Sequence, residues 1–406
     1  MIPRMKVRVH HGDVAKWLRA LFWPNLAPGT VVNRFEMKFA AYLGCMTVRA
    51  TASVRDAFEL ALAALGVKHG DEIIVPAYYR SDIIPLLEAL GTKPVTVDIE
   101  PDTFNINPEL IAARVTPKTK LIVAAHLFGA PCNIEAIRRV ADQRRLLLLE
   151  DCTAALGAGV NGRKVGTFGD AAIFSFEVNK PLHTYGGALI ATGNPRIADS
   201  LRNQLKNYAP AKLPSLGKTF LTWMKELAIR SPLFWLVTRL GRKKTAARPA
   251  TQIYSGIHRH LLTRKITYSD FQARLGMERL RLLDQRNAEL NRRWEELAAN
   301  LPIWLLPQKR NRHGTPAFSG FVARCRLSPA ELKQAAMHQG FYVGAGSSIE
   351  EDCGRLLHYG DCPEAARLCR EAVRLPLYEA LSERQYRRLR KAIEEVEKSI
   401  RVRLAG

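Results

Sequence analysis

The apolar run Leu146-Leu147-Leu148-Leu149 ends in Glu150-Asp151, and a second apolar stretch around Phe174-Ser175-Phe176 is followed shortly by Lys180. A carboxylate at the end of one strand and a lone amine just past another is the pairing that pyridoxal phosphate chemistry requires. The amine forms a Schiff base with the cofactor aldehyde. The carboxylate pairs with the pyridine nitrogen, keeps it protonated, and lets the ring act as an electron sink. Residue type alone leaves a second reading open, a capping Asp and a solvated Lys.

The elements that would carry these groups are short apolar segments alternating with helical patterns. Strands are expected at 72–75, 94–97, 121–125, 146–150, 171–176 and 188–191. Strand–helix alternation predicts an α/β fold with three layers, α/β/α, around a mostly parallel sheet. Ligands in such sheets sit at the carboxyl ends of strands. Asp151 lies just past one such end and Lys180 shortly past another. Residues 1–12 are basic and read as frayed; 14–23 read as a short amphipathic helix stopped by Pro24. The organisation expected is an N-terminal basic segment (1–30), a large domain (31–265), and a long helix over 270–300 leading into a smaller C-terminal α/β domain (266–406), whose first strand falls at 317–326.

The chain has 406 residues, 47% hydrophobic and 24% charged, enough for a large core in two lobes. Its seven cysteines (Cys45, Cys132, Cys152, Cys325, Cys353, Cys362 and Cys369) form no CxxC pair. An odd count, scattered spacing and no signal peptide read as a reduced cytoplasmic protein. Cys353, Cys362 and Cys369 surround His358, but no second close-spaced ligand pair exists, so no metal is expected. The net charge of +23, from 61 Lys and Arg against 38 Asp and Glu, points to an anionic partner: a membrane surface, nucleic acid or a phosphorylated substrate.

Much of the excess sits in residues 209–252, where nine Lys and Arg and one Glu interleave with Trp, Phe and Leu. Charges and Pro232 interrupt this segment, so it is not a membrane span. It suits an anionic membrane interface, and it equally suits packing against a partner subunit or the chain's own core. A nucleic-acid role rests on net charge alone, with no recognition helix or aromatic platform to support it, and is not expected.

From about Glu36 to Val396 the chain resembles the DegT/StrS family of sugar aminotransferases, which have the aspartate-aminotransferase-like fold (fold type I). The pieces that carry the likeness run in the family's order. Leu60-Ala61-Leu62-Ala63-Ala64-Leu65-Gly66 precedes Gly70-Asp71-Glu72-Ile73-Ile74-Val75-Pro76. Val97-Asp98-Ile99, His126-Leu127-Phe128-Gly129 and Glu150-Asp151 follow. Next come Gly162-Arg163-Lys164-Val165-Gly166, Phe174-Ser175-Phe176 with Lys180, and Gly186-Gly187. Asp270-Phe271-Gln272-Ala273 and Leu375-Pro376-Leu377-Tyr378 complete the series.

The resemblance implies Lys180 as the Schiff-base lysine and proton shuttle, Asp151 as the pyridinium partner and Ser175 as a hydroxyl on the cofactor phosphate. Where the family has Ser-Gly-Thr before the first helix, gap-free alignment puts Ser53-Val54-Arg55. The helix start still offers backbone N–H groups, and Arg55 would replace the lost hydroxyl or point to solvent. Arg80 falls at the usual ring-stacking aromatic, so Tyr79 or Tyr78 would cover the ring, or Arg80 would meet an acidic substrate. Ala154 stands where the family has a polar ring contact. Lys265 aligns with an Asn that reaches the phosphate from the partner subunit, which implies a homodimer.

His126 is expected either beside the cofactor or in a structural role. His183 follows Lys180 by three residues; relatives that dehydrate have His in place of the lysine, and Lys180 is retained here. The expected activity is transfer of an amino group from an amino acid, with glutamate typical of the family, to a nucleotide-linked keto-sugar. A lipid-linked or membrane-held ketone is the alternative acceptor, and a non-catalytic regulatory protein on the same fold is the alternative class. One decoy is rejected: Gly157, Gly159 and Gly162 match G-x-G-x-x-G, but a turn-rich basic stretch follows where a dinucleotide site needs a helix.

Overall fold

The computed structural model describes residues 1–6, 11–22, 29–211, 217, 220, 221, 224, 265–358 and 361–405. Its large lobe holds β1 (Thr47–Thr51), β2 (Glu72–Pro76), β3 (Tyr78–Tyr79), β4 (Lys93–Val97), β5 (Thr119–Ala125), β6 (Leu147–Asp151), β7 (Gly159–Val160), β8 (Arg163–Lys164), β9 (Ala171–Ser175) and β10 (Ala188–Thr192). Seven of these form one sheet in the order β1-β10-β9-β6-β5-β2-β4. From β4 to β9 every pairing is parallel; β10 and β1 pair antiparallel at the edge.

Residues of β2, β9 and β10 are buried throughout, as expected for strands covered on both faces. Alternate residues face opposite layers. Ile73, Val75, Leu121 and Val123 pack with the helices Val54–Ala64 and Ile83–Ala89. Ile74, Ile122, Ala124 and Leu148 pack with Ile134, Ile137 and Ala141 of the helix Ile134–Arg144. The predicted strands all form, within one or two residues at their ends. The edge strand β1 was not anticipated.

The small lobe adds β11 (Leu305–Pro307), β12 (Gly314–Thr315), β13 (Phe321–Cys325), β14 (Gly344–Ala345), β15 (Glu351–Asp352) and β16 (Ala372–Leu375). Four of them make a sheet ordered β11-β13-β16-β14. It therefore starts before the strand expected at 317–326, which is itself shorter. Trp294 stacks on Phe318 (centroids 4.1 Å apart, 9° between planes) at the centre of its core. Two short strands cross between lobes: β12 pairs with β7, and β15 pairs with β3.

Three expectations need correction. The helix over 270–300 is two helices, Asp270–Leu280 and Leu283–Ala298, with Leu282 outside helical geometry (φ −103°, ψ 0°). The break lets each half pack on a different lobe. Gly276 of the first half lies so close to Phe35 that a Cβ there would be 2.6 Å from the ring, while Leu290, Trp294 and Leu297 of the second half enter the small-lobe core.

The extreme N-terminus is tied down rather than frayed. Ile2 is buried, its N–H donates to Gly340 O (2.8 Å), and Tyr342 N donates to Ile2 O (2.9 Å). Residues 7–10 lie outside the described residues. The amphipathic helix runs His11–Phe22, starting three residues earlier than expected.

The glycines of the rejected dinucleotide motif lead into the hairpin β7–β8, with no helix after them.

Candidate active site

β6 ends in two acids that the pleat sends to opposite faces. Glu150 turns away from the sheet's lysine side. Its Oε1 accepts from Phe168 N (2.7 Å) and Gly169 N (2.6 Å), and its Oε2 from Gly166 N (2.8 Å). His126 Nε2 lies 3.2 Å from Glu150 Oε2, and Cys132 N donates to His126 Nδ1 (3.1 Å). Because Nδ1 accepts, the ring proton belongs on Nε2 and is donated to Glu150. These contacts give His126 the structural role that was one of its two expectations. Among the described residues, His126, Glu150 and Cys152 are the group whose ligand atoms converge. The backbone donors and the His N–H already fill the oxygens of Glu150, so this is a buried polar network rather than an ion site.

Asp151 is 3% exposed. One oxygen accepts from Thr153 N (2.9 Å), and the other accepts from the Tyr79 hydroxyl. The phenol is in turn pushed well above its ordinary pKa by burial and by the Asp151 charge. Tyr79, expected over the cofactor ring, thus meets the site through its hydroxyl at the carboxylate. Tyr78 is fully buried, and its hydroxyl makes no hydrogen bond of good geometry. Arg80 is partly exposed and grips Asp82 with two donors (3.0 and 2.6 Å). Burial works against the Arg80 charge, but Asp82, Asp151 and Glu350 outweigh it and hold the guanidinium charged.

Lys180 follows β9 in a turn closed by its own N–H to Glu177 O (3.0 Å). Phe176 O accepts from Thr184 N (3.0 Å) and Gly186 N (3.1 Å), which folds the loop back over itself. Gly187 (φ +100°) makes this return tight; a Cβ there would lie 2.3 Å from the Tyr268 ring. Arg279 clamps the loop from outside, donating to His183 O and to Asp13 Oδ2 (2.6 Å) of the N-terminal helix, while the Tyr185 hydroxyl donates to the same Asp13 oxygen (2.8 Å). The Lys180 amine is lowered to about 8. Burial is the main cause and the Arg80 charge the next, opposed by Asp151 and Glu350. The lysine therefore shares one electrostatic neighbourhood with Asp151, as expected from its type and position.

The proposed phosphate end lies along the antiparallel edge, where the register runs Ser175↔Ala188↔Thr51. Ser175 is buried and its hydroxyl accepts from Glu177 N (3.3 Å). Thr51 Oγ1 donates to Ser53 O (3.0 Å), bringing Ser53 to the same end. Ser53 caps the helix Val54–Ala64: its hydroxyl accepts from Asp56 N (3.1 Å) and donates to Asp56 Oδ2 (2.7 Å). Burial pushes the Asp56 carboxyl up to about 6, and Ser53, Lys265 and Arg55 pull it back. Val54 is buried in the first turn. Arg55 makes an exposed pair with Glu59 (3.4 Å), a contact weak enough to exchange for another anion. Lys265 is exposed and acts on Asp56 of its own chain.

Glu350 is the residue that sequence reading missed. It lies in the small lobe just before β15, and burial pushes its carboxyl up to about 7 against the pull of Arg80 and Lys180. Nothing in the run Ile349-Glu350-Glu351-Asp352 marks one acid over the next. Only the pairing of β15 with β3 brings Glu350 to the lysine. Most of residues 209–252 lie outside the described residues; of that segment, Phe220 stacks on Trp17 of the N-terminal helix (centroids 4.6 Å apart).

These residues fit pyridoxal phosphate. An amine of lowered pKa and a buried carboxylate share one site, and Tyr78 contributes a buried hydroxyl with an unused hydrogen-bonding capacity.

Known proteins are similar to this chain in sequence and in fold. The GDP-perosamine synthase of Vibrio cholerae is 35% identical over 179 residues, covering 43% of this chain and 49% of that protein. The dTDP-3-amino-3,6-dideoxy-alpha-D-galactopyranose transaminase of Aneurinibacillus thermoaerophilus is 40% identical over 185 residues, covering 45% of this chain and 51% of that protein. The chain thus matches about half the length of these relatives. Among solved structures, DesV of S. venezuelae in complex with a ketimine intermediate superposes with a TM-score of 0.73 at 26% identity, covering 94% of this chain and 93% of that one. With the family model matching residues 13–394, the chain belongs to the DegT/DnrJ/EryC1/StrS aminotransferase family and has the fold type I architecture.

Proposed function

We propose that this protein is a pyridoxal-phosphate-dependent aminotransferase that moves an amino group from an amino acid to a nucleotide-linked keto-sugar. The observation that carries the reading is the Lys180 amine, lowered to about 8 and placed in the field of Asp151. Lys180 would hold the cofactor aldehyde and Asp151 its ring nitrogen. Ser53, the backbone N–H groups of Val54 and Arg55, the Arg55 side chain, Ser175 and Lys265 would hold its phosphate, and Tyr79 fixes the Asp151 carboxylate. When bound, the cofactor supplies an electron sink that accepts the amino group from the donor and passes it to the ketone.

The rest of the chemistry falls to the chain. An ordinary lysine is almost wholly protonated near neutral pH, whereas a pKa of about 8 leaves a useful fraction of free amine. That amine takes a proton from the substrate carbon and returns it at the other reacting carbon. Thr153 N and the Tyr79 hydroxyl hold both Asp151 oxygens, so the carboxylate would already be oriented for the ring nitrogen. The retained Lys180 and Asp151 favour an enzyme over a regulatory protein on the same fold. In the homodimer we propose, Lys265 would act at its own or its partner's phosphate.

The direct test supplies glutamate and a panel of nucleotide-linked keto-sugars and looks for the amino sugar by mass spectrometry. No amino sugar from any nucleotide-linked acceptor would remove the acceptor class. The basic apolar composition of 209–252 supports a second acceptor, a membrane-held ketone. Among the described residues, no helix is long and apolar enough to cross a membrane. Salt-sensitive sedimentation with anionic liposomes, lost when 218–244 is deleted, favours that second acceptor. Failure to sediment at low salt leaves the soluble sugar.

A further inference from the structure

Glu350 has no part in the chemistry above, yet the fold takes care to deliver it. β15 pairs with β3 antiparallel, with Glu351 opposite Tyr79 and Asp352 opposite Tyr78. The same register carries Glu350 across from Arg80, beside Lys180. Arg374, on β16, also acts on this carboxylate, and Arg4 lies next to Arg374. The small lobe is shaped for these two guanidinium groups. A Cβ at Gly320 would fall 2.6 Å from Arg374 Nη2, and one at Gly344 would fall 2.7 Å from Arg4 Cδ. Both arginines donate to neutral oxygens: Arg374 to Ser319 O (3.0 Å), Arg4 to Ser348 O and Oγ (3.2 Å each). The buried Tyr78 hydroxyl, with no hydrogen bond of good geometry, borders the same place and feels both Glu350 and Arg374.

We infer that Glu350 is a resident counter-ion in a carboxylate-binding subsite, where Arg80, Arg374 and Tyr78 take a carboxylate of the amino donor and Glu350 gives way to it. This rests on the aminotransferase reading. The charges make the exchange reasonable. Arg80, Arg374 and Lys180 face Glu350, Asp82 and Asp151. With the lysine charged, cations and anions are equal in number; once it is neutral the acids exceed the cations by one, and an incoming carboxylate deepens that excess unless one resident acid is neutralised. Asp82 is gripped by Arg80 with two hydrogen bonds, and Asp151 is held by Tyr79 and Thr153. Glu350 has neither kind of hold, and burial already favours its protonated form. It takes up one proton from solvent as the substrate carboxylate arrives, and the net charge is restored.

The test uses the cofactor-loaded full-length protein and glutarate, a dicarboxylate with no amino group, titrated by calorimetry at about pH 8, where the Glu350 carboxyl is mostly ionised, in buffers of different ionisation enthalpy. Glutarate should bind the wild type with uptake of about one proton. Glu350→Gln should bind it about tenfold more tightly and without that uptake, because the competing charge is gone. Arg80→Gln and the gentler Arg374→Lys should each bind it about tenfold more weakly. The affinity for guanosine diphosphate should move less than about twofold in all three. Unchanged or weaker glutarate binding by Glu350→Gln overturns the proposal. So does a shift confined to the nucleotide, which would make this a diphosphate subsite. The visible band of the lysine-bound cofactor is read on the same samples. A wild type that never shows it sinks the aminotransferase reading, while the glutarate titration still decides the subsite.

Discussion

The Tyr79 hydroxyl donates to Asp151 across a separation of 72 residues, and both side chains are all but fully buried. This contact joins β3, the strand of the inter-lobe pairing, to the strand that carries the carboxylate proposed for the ring nitrogen. Asp151 is therefore fixed before any cofactor arrives. Asp151→Asn should retain a borohydride-stable adduct on Lys180 but lose at least about a hundredfold in turnover, since a neutral amide does not hold the ring nitrogen protonated. Tyr79→Phe should keep most of the turnover and lose about 1.5–3 kcal/mol of stability in urea, the worth of a hydrogen bond to a charged group. Near wild-type turnover by Asp151→Asn would reduce Asp151 to a strand-end cap.

Lys180 should control how fast the apoprotein captures its cofactor. The rate should climb with pH through a midpoint near 8, where burial and Arg80 have placed the amine, rather than near the ordinary lysine value of 10.5, and level off above it. Arg80→Gln removes a repelling charge and should move the midpoint up; Glu350→Gln removes an attracting one and should move it down. Linkage gives a second reading. Between about 8 and the ordinary value the unfolded chain holds a proton on this lysine that the folded chain has released, so this group's contribution to apoprotein stability rises with pH across that window. A capture midpoint near 10.5 would contradict the placement of the amine.

Asp13 and Arg279, each 5% exposed, clamp the loop that follows Lys180. Asp13→Ala leaves the guanidinium buried without its acid, and the expected loss is about 3 kcal/mol in chemical denaturation. Hydrogen exchange should quicken at the Thr184 and Gly186 amides, which bond to Phe176 O. If those amides stay protected in Asp13→Ala, the N-terminal helix has no hold on the loop.

Glu150 accepts three backbone N–H groups and faces the His126 N–H. Glu150→Gln turns an amide against those donors and leaves at least one of them unsatisfied. About 2–4 kcal/mol of stability should disappear, with the 162–169 segment loosened first. Zinc should not restore it. A variant rescued by zinc would show that His126, Cys152 and residue 150 hold a metal after all.

The sequence by itself determined the sheet and singled out the groups proposed to react. Periodicity marked six strands because buried parallel strands read as continuous apolar runs, and the order of motifs placed Lys180 and Asp151 at strand ends. Local signals of that kind survive without knowledge of the fold. What the sequence left open are contacts set by distant pairing. Tyr78, Tyr79 and Arg80 are neighbours in the chain, yet one has a buried hydroxyl with no hydrogen bond of good geometry, one holds Asp151 and one grips Asp82. Alternating strand geometry sent them apart, and only their surroundings gave each a task. Arg55 and Lys265 read as phosphate ligands, or Arg55 as a solvated side chain; the fold adds the neighbours that either role must compete with, Glu59 for Arg55 and Asp56 for Lys265. The N-terminal residues read as a loose basic tail. Ile2 and Asp13 became fixed because residues more than two hundred positions away supply a strand edge and a buried guanidinium. Glu350 was invisible for the same reason: its neighbours in sequence are acids like itself, and its neighbours in space, Arg80 and Lys180, arrive through a two-residue strand pairing between lobes that no local pattern encodes.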